Sequence, residues 1–138
     1  MKITYDANSM KLMSMFESLT GAKVKDCFDN KGAVVFVVDE GNIGKALGKG
    51  AANVRRIEGM LKKRIRIIEF NPDITKFVKN VIMPNKAKDI TYNEGTVTIV
   101  PEDSQSRGYL IGRAAEVLRS NEKIAQRYFP ELKEMKVV

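Results

Sequence analysis

The residues best suited to chemistry lie in two small-residue breaks between helical stretches. The first break is Leu47-Gly48-Lys49-Gly50-Ala51-Ala52-Asn53-Val54-Arg55. Small side chains at such a point let a second backbone approach closely. The helix that follows offers unpaired N–H groups and the positive end of its dipole, a combination that suits a phosphate. Lys49 at the tip, with Lys45 before it and Arg55 and Arg56 a turn into the helix, supplies cations, and Asn53 lies in the same stretch. The second break is Leu110-Ile111-Gly112-Arg113-Ala114-Ala115-Glu116-Val117-Leu118-Arg119, with Arg113 at its tip.

A glycine-rich break alone is an ordinary tight turn, so the charge around it decides its reading. From Ile43 to Arg66 the chain carries Lys45, Lys49, Arg55, Arg56, Lys62, Lys63, Arg64 and Arg66 against the single acid Glu58, eight against one, a balance of +7. The whole chain of 138 residues is also +7, so the remainder is neutral and the excess is concentrated at one place. Concentrated positive charge points to a polyanionic partner. Residues 72–138 hold 11 basic and 9 acidic residues, only +2, and Glu116 and Glu122 flank the second break. The second copy is therefore expected to be the weaker contact and partly a brace.

Other chemistries find little support. A nucleotide-binding P-loop needs four residues between its first glycine and Gly-Lys-Ser/Thr, after a strand. Here Gly44 stands one residue too close to Gly48-Lys49, Gly50 replaces the hydroxyl residue, and a helix precedes the loop. The chain has no histidine, the commonest general base and metal ligand. Its one cysteine, Cys27, sits in an alternating apolar run and reads as a small buried hydrophobe. Asp26, Asp29, Asp39 and Glu40 cluster near one strand pair and read as solvated turns. The expectation is a non-enzymatic protein with no metal and no cofactor. No apolar stretch approaches the ~20 residues of a membrane span, and residues 1–6 carry no apolar signal core. A cytoplasmic protein with no membrane partner is the reading that follows.

The elements that must position these breaks come next. Apolar residues at Met10, Leu12, Met13, Phe16 and Leu19 predict a helix over 8–20, capped by Asn8 or Ser9 and ended by Gly21, with its Met-rich stripe filling a core. Strands are predicted over 23–28 and 33–38 with a turn at Asp29-Asn30-Lys31-Gly32, the second strand being apolar enough to be central. A short helix, Ile43 to Leu47, then the break, a helix from Ala51 to Lys63 with Val54, Ile57 and Leu61 inward, and a strand over 64–70 complete the set. Beyond Asn71-Pro72, a helix over 73–82 capped by Asp73, strands over 88–92 and 96–100, a short helix reaching Gly112, a long helix over 114–128 and a strand over 132–138 repeat the order. The order αββααβ thus occurs twice with a period of about 65 residues, a repeat of topology. The fold class is α+β, with modules at 1–71 and 72–138.

Ile43-Gly44-Lys45-Ala46-Leu47-Gly48-Lys49-Gly50-Ala51-Ala52-Asn53-Val54 resembles the (I/L)-G-x-x-G-x-x-(I/V) signature of KH domains, with Leu110 to Arg119 as a second copy. The order αββααβ, with one strand after each loop, is the type II arrangement of that family. Two such modules in tandem resemble the paired KH region of NusA transcription factors, and without further domains the chain is similar to short archaeal NusA-like proteins. The resemblance implies single-stranded RNA as partner, with RNA polymerase as a second, and a role in transcription termination or antitermination. KH loops clamp about four nucleotides each, so it also implies RNA-binding residues Lys45, Gly48, Lys49, Gly50, Ala51, Asn53, Arg55, Arg56, Gly112, Arg113, Ala114, Ala115 and Arg119 on three-stranded sheets covered by helices on one face. Val54, Ile57 and strand 33–38 would floor a groove for bases. Of the aromatic residues, Tyr109 and Tyr128 lie nearest the loops and read as core or surface rather than as stacking platforms. Ala51 and Ala115 depart from the family's final loop glycine. An alternative keeps the KH fold but makes it an adaptor for polymerase or ribosome through protein contacts, or a protein associated with ribosomal RNA.

Overall fold

A computed structural model describes residues 7–138. Within it the first hairpin shows how local sequence sets register. Val24–Asn30 (β1) pairs antiparallel with Ala33–Val38 (β2), and only Lys31 and Gly32 remain in the turn, with φ of 51° and 79°. Two consecutive positive φ values match the right-handed twist of the flanking strands. The turn is therefore shorter than the sequence predicts, because Asp29 and Asn30 stay in the ladder opposite Val34 and Ala33. Arg64–Glu69 (β3) lies parallel to β2, giving the order β1-β2-β3 with the apolar strand central, as its composition predicts.

Ala7–Thr20 (α1) includes Asn8 and Ser9 in its first turn, so neither caps it. Gly21, at φ 75°, ends the helix by donating to the Glu17 carbonyl at 2.8 Å. Phe16 from α1 stacks on Phe36 from β2 with ring centroids 4.3 Å apart. Leu12, Met13, Met15 and Leu19 pack against the core cluster that holds this pair, so most of the predicted stripe fills the core, whereas Met10, predicted in the same stripe, is exposed. Cys27 is buried and takes part in no disulfide. Asp26 departs from expectation. A bulge at Val24–Asp26 shifts the register, and the carboxylate ends fully buried, accepting the Cys27 N–H at 2.8 Å, rather than in a solvated turn.

Residues 72–138 form the same order of elements. Asp73 caps Ile74–Val81 (α4), as predicted, accepting from the Thr75 and Lys76 N–H groups. Ala87–Asn93 (β4) and Thr96–Pro101 (β5) form a hairpin whose two-residue turn, Glu94-Gly95, again has positive φ at both positions. Glu134–Val137 (β6) runs parallel to β5, giving β4-β5-β6. Phe77 from α4 is buried against Phe129 and, edge-on, Tyr128. The described residues divide into two compact units, one ending at Asn71 and the other running Pro72–Val138. No helix among them is long and apolar enough to cross a membrane.

Candidate nucleic-acid interface

Between Ile43–Leu47 (α2) and Ala52–Leu61 (α3) the chain makes one tight turn. Gly48, at φ 72° and ψ 174°, closes α2 by donating to the Gly44 carbonyl. That backbone region is essentially glycine-only. A Cβ there would also lie 2.8 Å from Asn53 Nδ2, so the glycine is required twice over. Gly50 (φ 61°, ψ 28°) and Ala51 (φ 59°, ψ 29°) are both left-handed before α3 begins. Ala51 is thus outside the helix predicted to start there.

The second break has the same trace. Ser104–Ile111 (α5) ends at Gly112, φ 74° and ψ 177°, and Ala114 (55°, 32°) and Ala115 (60°, 23°) are left-handed before Glu116–Gln126 (α6). Three φ/ψ pairs thus recur within a few degrees 64 residues apart, although Ala114 replaces Gly50 and the glycine-to-alanine departure extends to both positions in the second copy. A Cβ on Gly112 would meet Val117 Cγ2 at 2.5 Å.

The flanks anchor the first loop. Asn42 Oδ1 accepts the Lys23 N–H at 2.9 Å and Glu69 accepts that of Gly41 at 2.7 Å, tying the entry of α2 to β1 and β3. Asn53 Nδ2 donates to the Lys45 carbonyl at 3.0 Å, and Arg55 Nη1 donates to the Gly50 carbonyl at 2.8 Å. Two of the expected contact residues therefore also hold the loop's shape. Lys45, Lys49 and Arg56 are exposed.

The cluster of eight cations does not stay together in space. Lys45, Lys49, Arg55 and Arg56 surround the loop, whereas Lys62, Lys63 and Arg64 lie at the far end of α3, about 15 Å away at 1.5 Å per residue. Arg66 sits within β3, half-buried, and burial lowers its pKa from the usual arginine value. At the second loop Arg113 is exposed, but Arg119 Nη1 pairs with Glu122 Oε2 at 2.6 Å.

The expected base groove is also altered. Ile57 and residues Val35–Val38 have no exposed surface and are core, while Val54 keeps partial exposure. Sequence reasoning missed two positioning residues, Glu58 and Glu122. Glu58 Oε2 accepts the Ile65 N–H at 3.0 Å and Glu122 Oε2 that of Met135 at 2.7 Å, each clamping the helix after a loop to the second residue of the next strand. The signal was present, since each glutamate stands ten residues after its loop glycine. Among the described residues no three His, Cys, Asp or Glu side chains converge as a metal site.

An α+β repeat of two three-stranded sheets with a tight, cation-tipped glycine turn in each half defines the class of protein. The KH domain family pattern matches residues 12–86, 75 of the 138 residues, and the chain belongs to that family. Relatives include the probable transcription termination protein NusA of Methanococcus vannielii, 38% identical over 90 residues, covering 65% of this chain and 52% of that protein. The chain thus spans about half the length of that relative. The proteins of the same name from Halococcus morrhuae (29% over 131 residues, 94% of each chain) and Methanocaldococcus jannaschii (28% over 130 residues, 92% of this chain and 71% of that one) align more fully. The resemblance to archaeal NusA-like KH proteins is borne out. The fold matches the crystal structure of APE1850, with a TM-score of 0.77 and 21% identity, covering 97% of this chain and all of the other.

Proposed function

We propose that the chain binds single-stranded RNA through two tandem KH modules of the type II order, residues 1–71 and 72–138, in a transcription-associated role. The first six residues of that first module lie outside the described residues. The observation that carries this reading is the recurrence of one loop trace, Gly48–Ala51 and Gly112–Ala115, each with a basic residue at its tip. Left-handed turns feeding a helix N-terminus leave backbone N–H groups facing outward, where a phosphate can replace water. Lys45, Lys49, Arg55 and Arg56 around the first loop, with Gly48, Gly50, Ala51 and Asn53 shaping it, form the stronger clamp. Gly112, Arg113, Ala114 and Ala115 form the second, to which Arg119 contributes less because Glu122 holds it. Catalysis has no place in this reading.

The naming of the archaeal relatives as probable transcription termination proteins supports a role in termination or antitermination, in the cytoplasm, with RNA polymerase as a partner. The test is Lys49→Asp combined with Gly50→Asp. Gly48 is unsuitable because of Asn53, but Gly50 has open space around it and a left-handed conformation that Asp tolerates. The double variant should keep its circular dichroism spectrum and lose most of its affinity for a fluorescent single-stranded RNA. A folded variant that binds as tightly as wild type would end the proposal.

A further inference from the structure

The two loops share a backbone but differ in what flanks them. Three residues before the loop glycine, the first copy has Lys45 and the second Tyr109; five residues after it, the first has Asn53 and the second Val117. In the first copy these two positions meet, since Asn53 Nδ2 reaches the Lys45 carbonyl. In the second, Val117 packs on Gly112, and both it and Tyr109 keep exposed surface. Tyr109 is 58% exposed and Val117 37%. Exposed aromatic surface is costly, and the other tyrosine near this loop, Tyr128, is placed edge-on to Phe77 at 5.4 Å. The Tyr109 hydroxyl accepts from Gln105 Nε2 at 3.3 Å, one turn earlier on α5, which steadies the exposed side chain. Arg113 stands at the adjacent loop tip.

We infer that Tyr109 is a base-stacking residue, with Val117 as an apolar shoulder, and that the second module holds a nucleobase where the first holds backbone charge. The inference rests on the RNA-binding reading above and deepens it. A strand whose phosphate lies at Arg113 carries a base within a few ångströms, and any base offers a π-face to a tyrosine. The exchange of Lys45 and Asn53 for Tyr109 and Val117 thus replaces electrostatic contact with apolar contact at one place in the repeat. It offsets the smaller charge of the second module, where Arg119 is paired with Glu122.

The full chain carries four tyrosines and no tryptophan, so tyrosine emission can be read directly. Binding is measured by anisotropy with a labelled mixed-sequence RNA of about twelve nucleotides, enough for two four-nucleotide modules, and with its fully abasic counterpart. Tyr109→Ala should weaken binding to the base-bearing RNA about five- to a hundred-fold, the range for loss of one stacked base, and leave binding to the abasic strand unchanged. Tyr109→Phe should retain affinity while removing part of the emission quenching that RNA causes in wild type. Equal affinity of wild type and Tyr109→Ala for the base-bearing RNA overturns the inference while leaving the RNA-binding reading intact. So does an equal loss on the abasic strand. Failure of the wild-type chain to bind either strand overturns both.

Discussion

The guanidinium of Arg55 reaches back to donate to the Gly50 carbonyl at 2.8 Å, while Arg119, at the same place in the second copy, turns instead to Glu122 at 2.6 Å. One arginine fastens its loop and the other pairs with an acid on its own helix. Arg55→Ala should therefore speed amide hydrogen exchange in residues 48–52 and weaken RNA binding, whereas Arg119→Ala should change neither exchange in 112–116 nor stability by more than ~1 kcal/mol, the usual limit for an exposed pair. Native-state exchange of both variants checks the contrast.

The two glutamates that clamp helix to strand carry a larger structural share. Glu122→Ala leaves the Met135 N–H without its acceptor, and Glu58→Ala does the same for Ile65. Each should cost about 1–3 kcal/mol in urea unfolding, the range for an orphaned buried donor. Glutamine, which keeps a carbonyl acceptor, should restore most of it.

Three alanines hold left-handed backbone at the loops. Ala51, Ala114 and Ala115 have φ of 59°, 55° and 60°, a region that costs an L-residue roughly 1–2 kcal/mol relative to its preferred basins. Glycine at any of them should raise the melting temperature or leave it unchanged, whereas valine should lower it. Gly112→Ala should lower it most, because its Cβ collides with Val117.

The helix caps make stability depend on pH. The side-chain and backbone hydrogen bonds from Thr75 hold the Asp73 pKa below its ordinary value, and the Ser106 N–H does so for Asp103. A carboxyl with a lowered folded pKa stabilises the fold above the ordinary carboxylate range and ceases to do so as acid protonates it. Asp73→Asn should therefore lower the melting temperature at neutral pH, with the difference from wild type shrinking as pH falls through the carboxylate range.

If phosphate contact dominates, affinity for single-stranded RNA should fall linearly on a log–log plot against salt. Lys49→Ala should lessen that slope by about one phosphate contact. Arg64→Ala, at the far end of α3, should leave it unchanged, as measured by anisotropy over a salt series.

Much of this architecture is written in local sequence. The αββααβ order, the central strand Ala33–Val38, the break at Gly48 and its echo at Gly112, and the Asp73 cap all follow from periodicity, turn chemistry and repeat spacing, which are properties of neighbouring residues. Tertiary structure alone decided which side chains of those elements face solvent. A bulge buried Asp26, complete packing removed Ile57 from any groove floor, and the length of α3 separated cations that are adjacent in the chain. The same holds for Arg55 and Arg119, and for Tyr109. Sequence places each beside a loop, but whether it grips the loop, pairs with a neighbouring acid or stands open depends on partners that only the folded chain brings within reach.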